Sequence, residues 1–134
     1  AAPYGVETLR VRAADAMMAA CVELWPKMDG CIAAAAVADQ RPQEVAPEKA
    51  KKGDGPENLV LVRTQDILLN LGAQKKPDQW LLGFAAESEH HIENASAKLV
   101  KKKLDAVFVN DISTGKAFGH QDNTLPELKA QAPQ

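Results

Sequence analysis

QWLLGFAA at residues 79–86 and LDAVFVN at residues 104–110 decide the fold class of this 134-residue chain. Both are short apolar runs, which are typical of strands buried within a sheet. Between them, Ser88 can cap a helix that runs to about Lys103. The apolar positions of that helix follow helical spacing and are Ile92, Ala95, Leu99 and Val100. Strand, helix and strand in this order predict two parallel neighbouring strands.

The same alternation extends towards the start of the chain. Further strands are predicted at residues 6–11, 30–38 and 58–64, the second of them buried on both faces. Further helices are predicted at residues 14–24 and 65–72, the latter with its stop at Gly72. Residues 39–57 are rich in proline and glycine and predict a loop. The whole order predicts an α/β fold with a mainly parallel sheet and helices on its faces.

Composition sets limits on the function. The chain is 46% apolar, enough for the core of one domain. A net charge of −2 and an aromatic content of 4% argue against a dedicated nucleic-acid binder. Cys21 and Cys31 have no metal-ligand spacing, so we expect free thiols in a reducing compartment. We expect no membrane span and no signal peptide, hence a cytoplasmic protein, and both chain ends are typical of cut points.

Ligands of parallel α/β sheets collect outside the carboxyl ends of the strands. The residues directly after the predicted strands are therefore candidates: Asp39, residues 64–67, residues 86–88 and residues 110–111. Neither GxxxxGK[ST] nor GxGxxG occurs. The small residues before Asp39 would let a flat ligand approach the backbone, and its carboxylate could bind a base, a ribose or a metal. The alternative is that Asp39 only starts a turn.

Two groups of lysines could each bind an anionic ligand or could be ordinary surface charge. Lys98 and Lys102 are four residues apart on a predicted helix and share a face, which favours a bound polyphosphate or simply a solvated helix end. Lys49, Lys51 and Lys52 lie in PQEVAPEKAKKGDG, residues 42–55. They indicate either a flap that closes on an anion or a charged surface loop. The histidines, His90, His91 and His120, are expected on the surface.

Six motifs occur in one order within residues 6–124: AAAVAD, VAPEKAKK, TQDIL, GFAAES, AKLVKKKLDAVFVNDI and FGHQDN. In that order they resemble the phosphopantothenoylcysteine synthetase (phosphopantothenate–cysteine ligase) family. In most bacteria this is the C-terminal half of a bifunctional coenzyme A biosynthesis flavoprotein. The resemblance implies a Rossmann-like three-layer fold, a homodimer and a two-step reaction. CTP with Mg²⁺ activates the carboxylate of 4′-phosphopantothenate as an acyl cytidylate, and cysteine then displaces CMP. FMN would belong only to a fused decarboxylase domain.

The resemblance also assigns residues. The implied CTP contacts are Ala33, Ala34, Ala35, Asp39, Lys49, Thr64, Gln65, Asp66, Ile67, Phe84, Lys98 and Lys102. Lys49 is the implied catalytic residue, on a mobile flap to which Lys51 and Lys52 add charge. The resemblance assigns no residues as metal ligands.

The chain departs from the family pattern in two kinds of place. Gln40 stands where members usually have Tyr, and Gln65 where they usually have Pro. The family's first βαβ segment and its C-terminal helix are absent, so residues 1–134 are predicted to be a portion of the ligase domain. Two alternatives stay open: a non-catalytic nucleotide- or anion-binding α/β module, and a dimerisation scaffold. A preference for CTP over ATP would favour the ligase.

Overall fold

The computed structural model of the protein describes residues 3–45, 48, 58–87, 91–111 and 126–130. The helices are α1 (Ala14–Leu24), α2 (Ile67–Gln74) and α3 (His91–Lys101). The strands are β1 (Gly30–Ala33), β2 (Gln40–Pro42), β3 (Leu61–Arg63), β4 (Trp80–Glu87), β5 (Ala106–Asp111) and β6 (Glu127–Lys129).

The main sheet has the strand order β1-β4-β5-β6. β4 lies inside it and runs parallel to both neighbours, with Leu82 opposite Ile32 on one side and Ala106 on the other. β6 runs antiparallel to β5, with Leu128 opposite Val107. The predicted α/β fold with a mainly parallel sheet is therefore confirmed, as is the helix at 14–24. The strands predicted at QWLLGFAA and LDAVFVN form over Trp80–Glu87 and Ala106–Asp111.

The core of the described residues lies on one face of this sheet. The strand side chains on that face include Cys31, Leu81, Ala85, Val107 and Leu128, and residues from all three helices pack against them. Side chains alternate between the faces of a strand, so the intervening positions point the other way. On that second face, Phe84 stacks on Phe108 with ring centroids 5.3 Å apart.

The turn after α1 is fixed by one buried amide. Gln79, which is buried just before β4, donates from Nε2 to the carbonyls of Trp25 and Met28, both at 2.7 Å. Trp25 in turn donates from its indole nitrogen to the carbonyl of Leu71 at 3.1 Å. These bonds satisfy polar groups that would be costly to bury alone, and they hold α1 to α2 and to the start of β4.

α3 ends in a Schellman motif. Leu104 N–H donates to the Leu99 carbonyl at 2.9 Å, and Lys103 N–H to that of Val100 at 3.2 Å. Lys103 is the left-handed residue of the motif, with φ of 53°, a position that usually carries glycine. The chain thus reverses sharply and enters β5, and the predicted helix end at Lys103 is two residues too late.

Gly72 does not stop α2, contrary to the sequence prediction. It is buried inside the helix, which continues to Gln74. A Cβ at this position would overlap the carbonyl oxygen of Lys102, so the glycine is needed for the close approach of α2 to the turn after α3. A glycine required by a neighbouring backbone and a glycine that ends a helix look alike in sequence.

Two strand predictions near the start are wrong. Residues 6–11 form no strand, and they have no strand partner among the residues described. The segment 30–38 is a strand only over Gly30–Ala33. It pairs with β4 alone in the described sheet and is an edge, so Ile32 is 59% exposed and not buried on both faces. Apolar runs of small residues cannot by themselves distinguish an edge strand from a central one.

The start of the predicted 39–57 loop region also differs from expectation. β2 forms within it and pairs antiparallel with β3, the observed part of the 58–64 strand, in a separate two-stranded sheet. β6 was not predicted, because its three residues carry no period. Ile92 and Val100 of α3 are exposed, whereas Ala95 is buried and Leu99 packs against the core.

Cys21 and Cys31 are free thiols, as predicted. Burial raises the pKa of both, and the neighbouring Cys21 raises that of Cys31 further. Among the residues that the structure describes, no helix is both long and apolar enough to cross a bilayer.

Gly72→Ala should destabilise the protein by about 1–3 kcal/mol, the usual cost of overpacking, because the new methyl group meets a backbone carbonyl. Intrinsic helix propensity alone would give the opposite sign. Gly83→Ala is the matched control: its Cβ would lie 3.1 and 3.2 Å from the ends of the Leu104 and Leu68 side chains, which can shift, so the loss should be smaller. Urea denaturation measures both, and a stabilised Gly72→Ala variant would contradict the close contact.

Candidate functional site

Hydrogen bonds join the loop after β1 to the loop after β3. Thr64 Oγ1 donates to the carbonyl of Ala38 at 2.5 Å, and Thr64 N–H donates to the carbonyl of Asp39 at 2.9 Å. Val37 N–H closes a tight turn on the Ala35 carbonyl at 3.1 Å. Two of the predicted ligand-binding segments, the alanine strand end and the turn that starts at Thr64, therefore meet in the structure.

β2 and β3 form an antiparallel stem on either side of the segment predicted as a flap. Beyond the paired strands, Gln43 N–H donates to the Val60 carbonyl at 2.9 Å, which extends the antiparallel pairing. The segment between Gln43 and Val60 thus leaves and returns at one place beside Thr64. Lys49, Lys51 and Lys52, predicted for this flap, lie outside the described residues.

A cleft of about 470 Å³ opens where this stem meets the start of α1. Its lining includes Ala35 and Thr64, and also Gln40, one of the two positions that depart from the family pattern. At its rim, Arg41 and Asp15 form an ion pair at 3.6 Å with both side chains exposed. Such an exposed pair contributes little to stability. Sequence analysis missed Arg41 because nothing in its neighbourhood marks it as near α1.

The predicted residues of the turn after β3 point in different directions. Gln65 lines a separate hollow of about 550 Å³ between α1 and α2. The side chain of Ile67 is half-buried and packs against the hydrophobic core. Asp39, Ala34 and Ala35 are exposed, and Ala33 is half-buried at the end of β1.

Asp66 is the N-cap of α2, and it binds the end of α3 as well. Its Oδ1 accepts from Leu69 N–H at 3.0 Å, which satisfies one of the free donors of the first helical turn. Its Oδ2 pairs with Lys102 Nζ at 2.8 Å. Lys102 follows the last residue of α3, and Lys98, one turn earlier, is half-buried. Two contacts therefore hold Lys102 in place. Its main-chain carbonyl lies against Gly72, and its ammonium group pairs with the Asp66 carboxylate.

The pKa of Asp66 is lowered. Burial by itself would raise it, but the hydrogen bond from Lys102, the cap bond from Leu69 and the positive charges of Lys102 and Lys101 outweigh that effect. Asp66 therefore stays a carboxylate throughout the neutral range.

Phe84 lies next to the alanine strand end, one residue beyond Gly83, which pairs with Ala33. It belongs to the sheet face that points away from the helix-covered core, where it is 42% exposed. Within the described residues, no group of three or more His, Cys, Asp or Glu side chains could hold a metal ion.

Comparison with known proteins identifies relatives along nearly the whole chain. The family model described as DNA/pantothenate metabolism flavoprotein C-terminal domain matches residues 1–133. The coenzyme A biosynthesis bifunctional protein CoaBC of Bacillus subtilis is 42% identical over 125 residues, which are 92% of this chain and 30% of that protein. A cysteine/cysteine sulfinic acid decarboxylase from an unknown prokaryotic organism is 40% identical over 121 residues, which are 90% of this chain and 34% of that protein.

The fold agrees with a solved relative. The crystal structure of the C-terminal domain of a CoaBC protein matches with a TM-score of 0.69 at 32% identity, over 97% of this chain and 60% of that one. The chain thus spans about a third of the length of its curated relatives and less than two thirds of the solved domain.

Asp66→Asn should lower the stability of the protein near neutral pH, because asparagine still caps α2 but cannot pair with the Lys102 charge. The folded pKa of Asp66 is depressed, so the stability contributed by the carboxylate is present above its ordinary pKa of 3.8 and is lost as the pH falls through the lower folded value. The stability difference between wild type and variant should therefore shrink on acidification. Thermal denaturation between pH 7 and strongly acidic pH measures it, and a constant difference would contradict this role of the ion pair.

Proposed function

The chain belongs to the family of DNA/pantothenate metabolism flavoprotein C-terminal domains, and on that basis we propose that it is part of a CTP-dependent phosphopantothenate–cysteine ligase of coenzyme A biosynthesis. The observation that carries the proposal is the match of nearly the whole chain, in sequence and fold, to the C-terminal domain of CoaBC proteins. Because the chain spans only part of these relatives, the complete reaction is proposed for the protein that contains it.

The proposed reaction has two steps. The carboxylate of 4′-phosphopantothenate attacks the α-phosphate of CTP, which forms an acyl cytidylate and releases pyrophosphate. The amine of cysteine then attacks the acyl carbon, which forms the amide and releases CMP. Activation is needed because a free carboxylate does not react with an amine at neutral pH. The reaction class is therefore acid–amino-acid ligation.

We place the nucleotide where the loop after β1 is hydrogen-bonded to the turn at Thr64. Ala33, Ala34 and Ala35 with Asp39 would face the base and ribose, because small side chains allow a flat ligand to approach the backbone. The turn from Thr64 through Gln65 and Asp66 to Ile67 would provide main-chain contacts. The hydrogen bonds of Thr64 to the Ala38 and Asp39 carbonyls support this placement, since they hold both segments in one arrangement. Phe84 is exposed one residue beyond the pair of Gly83 with Ala33, which supports its place beside the same strand end.

Positive charge for the phosphates would come from two sides. Lys98 and Lys102 belong to the end of α3. Lys49 belongs to the segment that connects β2 to β3 in sequence, and Lys51 and Lys52 follow it there. Lys49 is the proposed catalytic residue, because a cation delivered by a closing flap can stabilise charge that develops only in the transition state. The antiparallel stem supports the flap hypothesis, since it gives the segment a fixed base.

Mg²⁺ would accompany the nucleotide. The described side chains form no cluster suited to hold a metal by themselves, so we propose that the ion is bound through the triphosphate. Subunit pairing as a homodimer is proposed from the family resemblance alone.

The decarboxylase name of one relative does not favour a second function. This chain aligns with a third of that protein, and the same family domain accounts for its similarity to CoaBC proteins. A generic anion-binding module remains the competing class, and nucleotide choice separates it from the ligase.

CTP should bind this chain more tightly than ATP or UTP. The triphosphates carry the same charge, so a difference can come only from the base, and cytosine differs from uracil in its amino group and ring acceptor. Competition against labelled CTP, with unlabelled CTP as the reference competitor, measures the preference. Equal displacement by UTP or ATP would favour the generic anion site and refute a cytosine pocket.

Lys49→Gln in the complete ligase should lower kcat by about 100-fold while CTP affinity changes little, because the proposed contact acts in the transition state. Lys27→Gln, an exposed lysine just after α1, is the matched control and should leave both quantities unchanged. Steady-state kinetics with a binding titration decide the matter. A wild-type kcat for the Lys49 variant would mean that the three lysines are ordinary surface charge.

A further inference from the structure

The hollow of about 550 Å³ between α1 and α2 is a second cavity, distinct from the cleft near Thr64. Its floor is apolar and comes from Met18, Ala19 and Val22, which recur at helical spacing on one face of α1. Of the described residues that line the hollow, none is a lysine or an arginine. An apolar floor without a positive charge around it is unsuited to a nucleotide.

Two carboxylates line this hollow near its opposite ends. Asp15 belongs to the first turn of α1 and Glu23 to its last turn, so the helical rise separates them by about 12 Å along the helix axis. At that separation the two side chains do not form a cluster that could ligate one metal ion. They can, however, bind two positive charges that are held apart on one molecule.

The folded chain compensates these two carboxylates only weakly. Asp15 pairs with Arg41 through Oδ2 at 3.6 Å, and both side chains are exposed, so the pair contributes little. The last turn of α1 has no basic residue beside Glu23, and the helix dipole disfavours an anion at that end. A bound cation would therefore be favourable at both ends of the hollow, and most of all at Glu23.

The opposite wall of the hollow is formed by amide side chains of α2. Gln74 donates from Nε2 to Oδ1 of Asn70 at 2.6 Å, so the bond uses the donor end of Gln74. The Oε1 atom of Gln74 can still accept a hydrogen bond. The polar side of the hollow thus offers hydrogen-bond acceptors, which suit a ligand rich in N–H groups.

We propose that this hollow binds a linear aliphatic diamine, with one ammonium group near Asp15 and the other near Glu23. The methylene chain between them would lie on Met18, Ala19 and Val22. Ammonium groups have only donors to offer, which matches a rim of carboxylate and amide oxygens. A hydrated metal ion would gain nothing from the apolar floor, and an anion would be repelled by both carboxylates. The inference does not depend on the proposed function, because it concerns a different cavity.

The test is titration calorimetry of this chain, without nucleotide, against two diamines of equal charge. Octamethylenediamine spans about 11 Å between its nitrogens and putrescine about 6 Å, so only the longer diamine reaches both carboxylates. Octamethylenediamine should bind about tenfold more tightly than putrescine, because one molecule then makes both charge contacts. Equal affinities would mean that the hollow responds to charge alone and would overturn the inference, as would the absence of binding.

Two variants test the ends and the floor separately. Glu23→Gln should weaken octamethylenediamine binding about tenfold by removing one charge. Ala19→Leu should weaken it by a similar factor, about tenfold, because the larger side chain fills the floor. Both positions are exposed and both new residues are compatible with a helix, so the fold should be retained, which circular dichroism checks. Wild-type affinity in either variant would overturn the inference.

Glu7→Gln is the matched control. Glu7 is an exposed carboxylate in the segment before α1, and it does not line the hollow. Its removal changes the net charge of the chain by the same amount as Glu23→Gln, and it should leave the affinity for octamethylenediamine unchanged. A loss as large as that of Glu23→Gln would mean that the diamine responds to overall charge, which would also overturn the inference.

Discussion

The turn from Lys102 to Asp105 is the constraint on which the rest of the described structure depends. Its backbone contacts α2 at Gly72 so closely that no side chain fits between them. Its first residue reaches the N-cap of α2 through the Asp66 pair, and its last residue pairs with Lys75 just after α2. Asp105 also accepts the N–H of Leu81 at 2.6 Å, at the start of the central strand. One short turn thus fixes both ends of α2 and its distance from the sheet.

This turn can have such contacts because of how α3 ends. The left-handed conformation of Lys103 reverses the chain within two residues and sends Leu104 into the core, next to β5. Without that reversal, the carbonyl of Lys102 would not face α2. The backbone strain at Lys103 is small beside the packing that it permits, since the buried apolar cluster spans α2, α3, β4 and β5.

The candidate site uses the same framework from the opposite end of α2. Asp66 begins the helix that Gly72 and Lys75 anchor, and Thr64 connects that beginning to the loop after β1. The arrangement of site residues is therefore set by core packing, and the segment on the β2–β3 stem is attached to the same place.

Part of the site could be predicted from the sequence and part could not. Position after a predicted strand selected Asp39 and Thr64, and the structure joins them by a hydrogen bond although β3 lies outside the parallel sheet. Spacing alone put Lys98 and Lys102 on one face, but it gave no sign that Lys102 pairs with the cap of another helix. That partner lies 36 positions away in the chain, and local sequence carries no information about such contacts.

The amino-acid sequence by itself determined the class of the fold, the positions of α1, β4 and β5, and the family motifs, because these depend on local periodicity and on residue identity. Tertiary structure decided which strands lie at an edge, why Gly72 is a glycine, and that β2 and β3 leave the main sheet to form a stem. The physical reason is the same in each case. A strand forms only where another strand pairs with it, and Gly72 is required by the backbone of a distant residue. The effect of a charged side chain likewise depends on the charge that lies opposite it. All three depend on what the folded chain brings together.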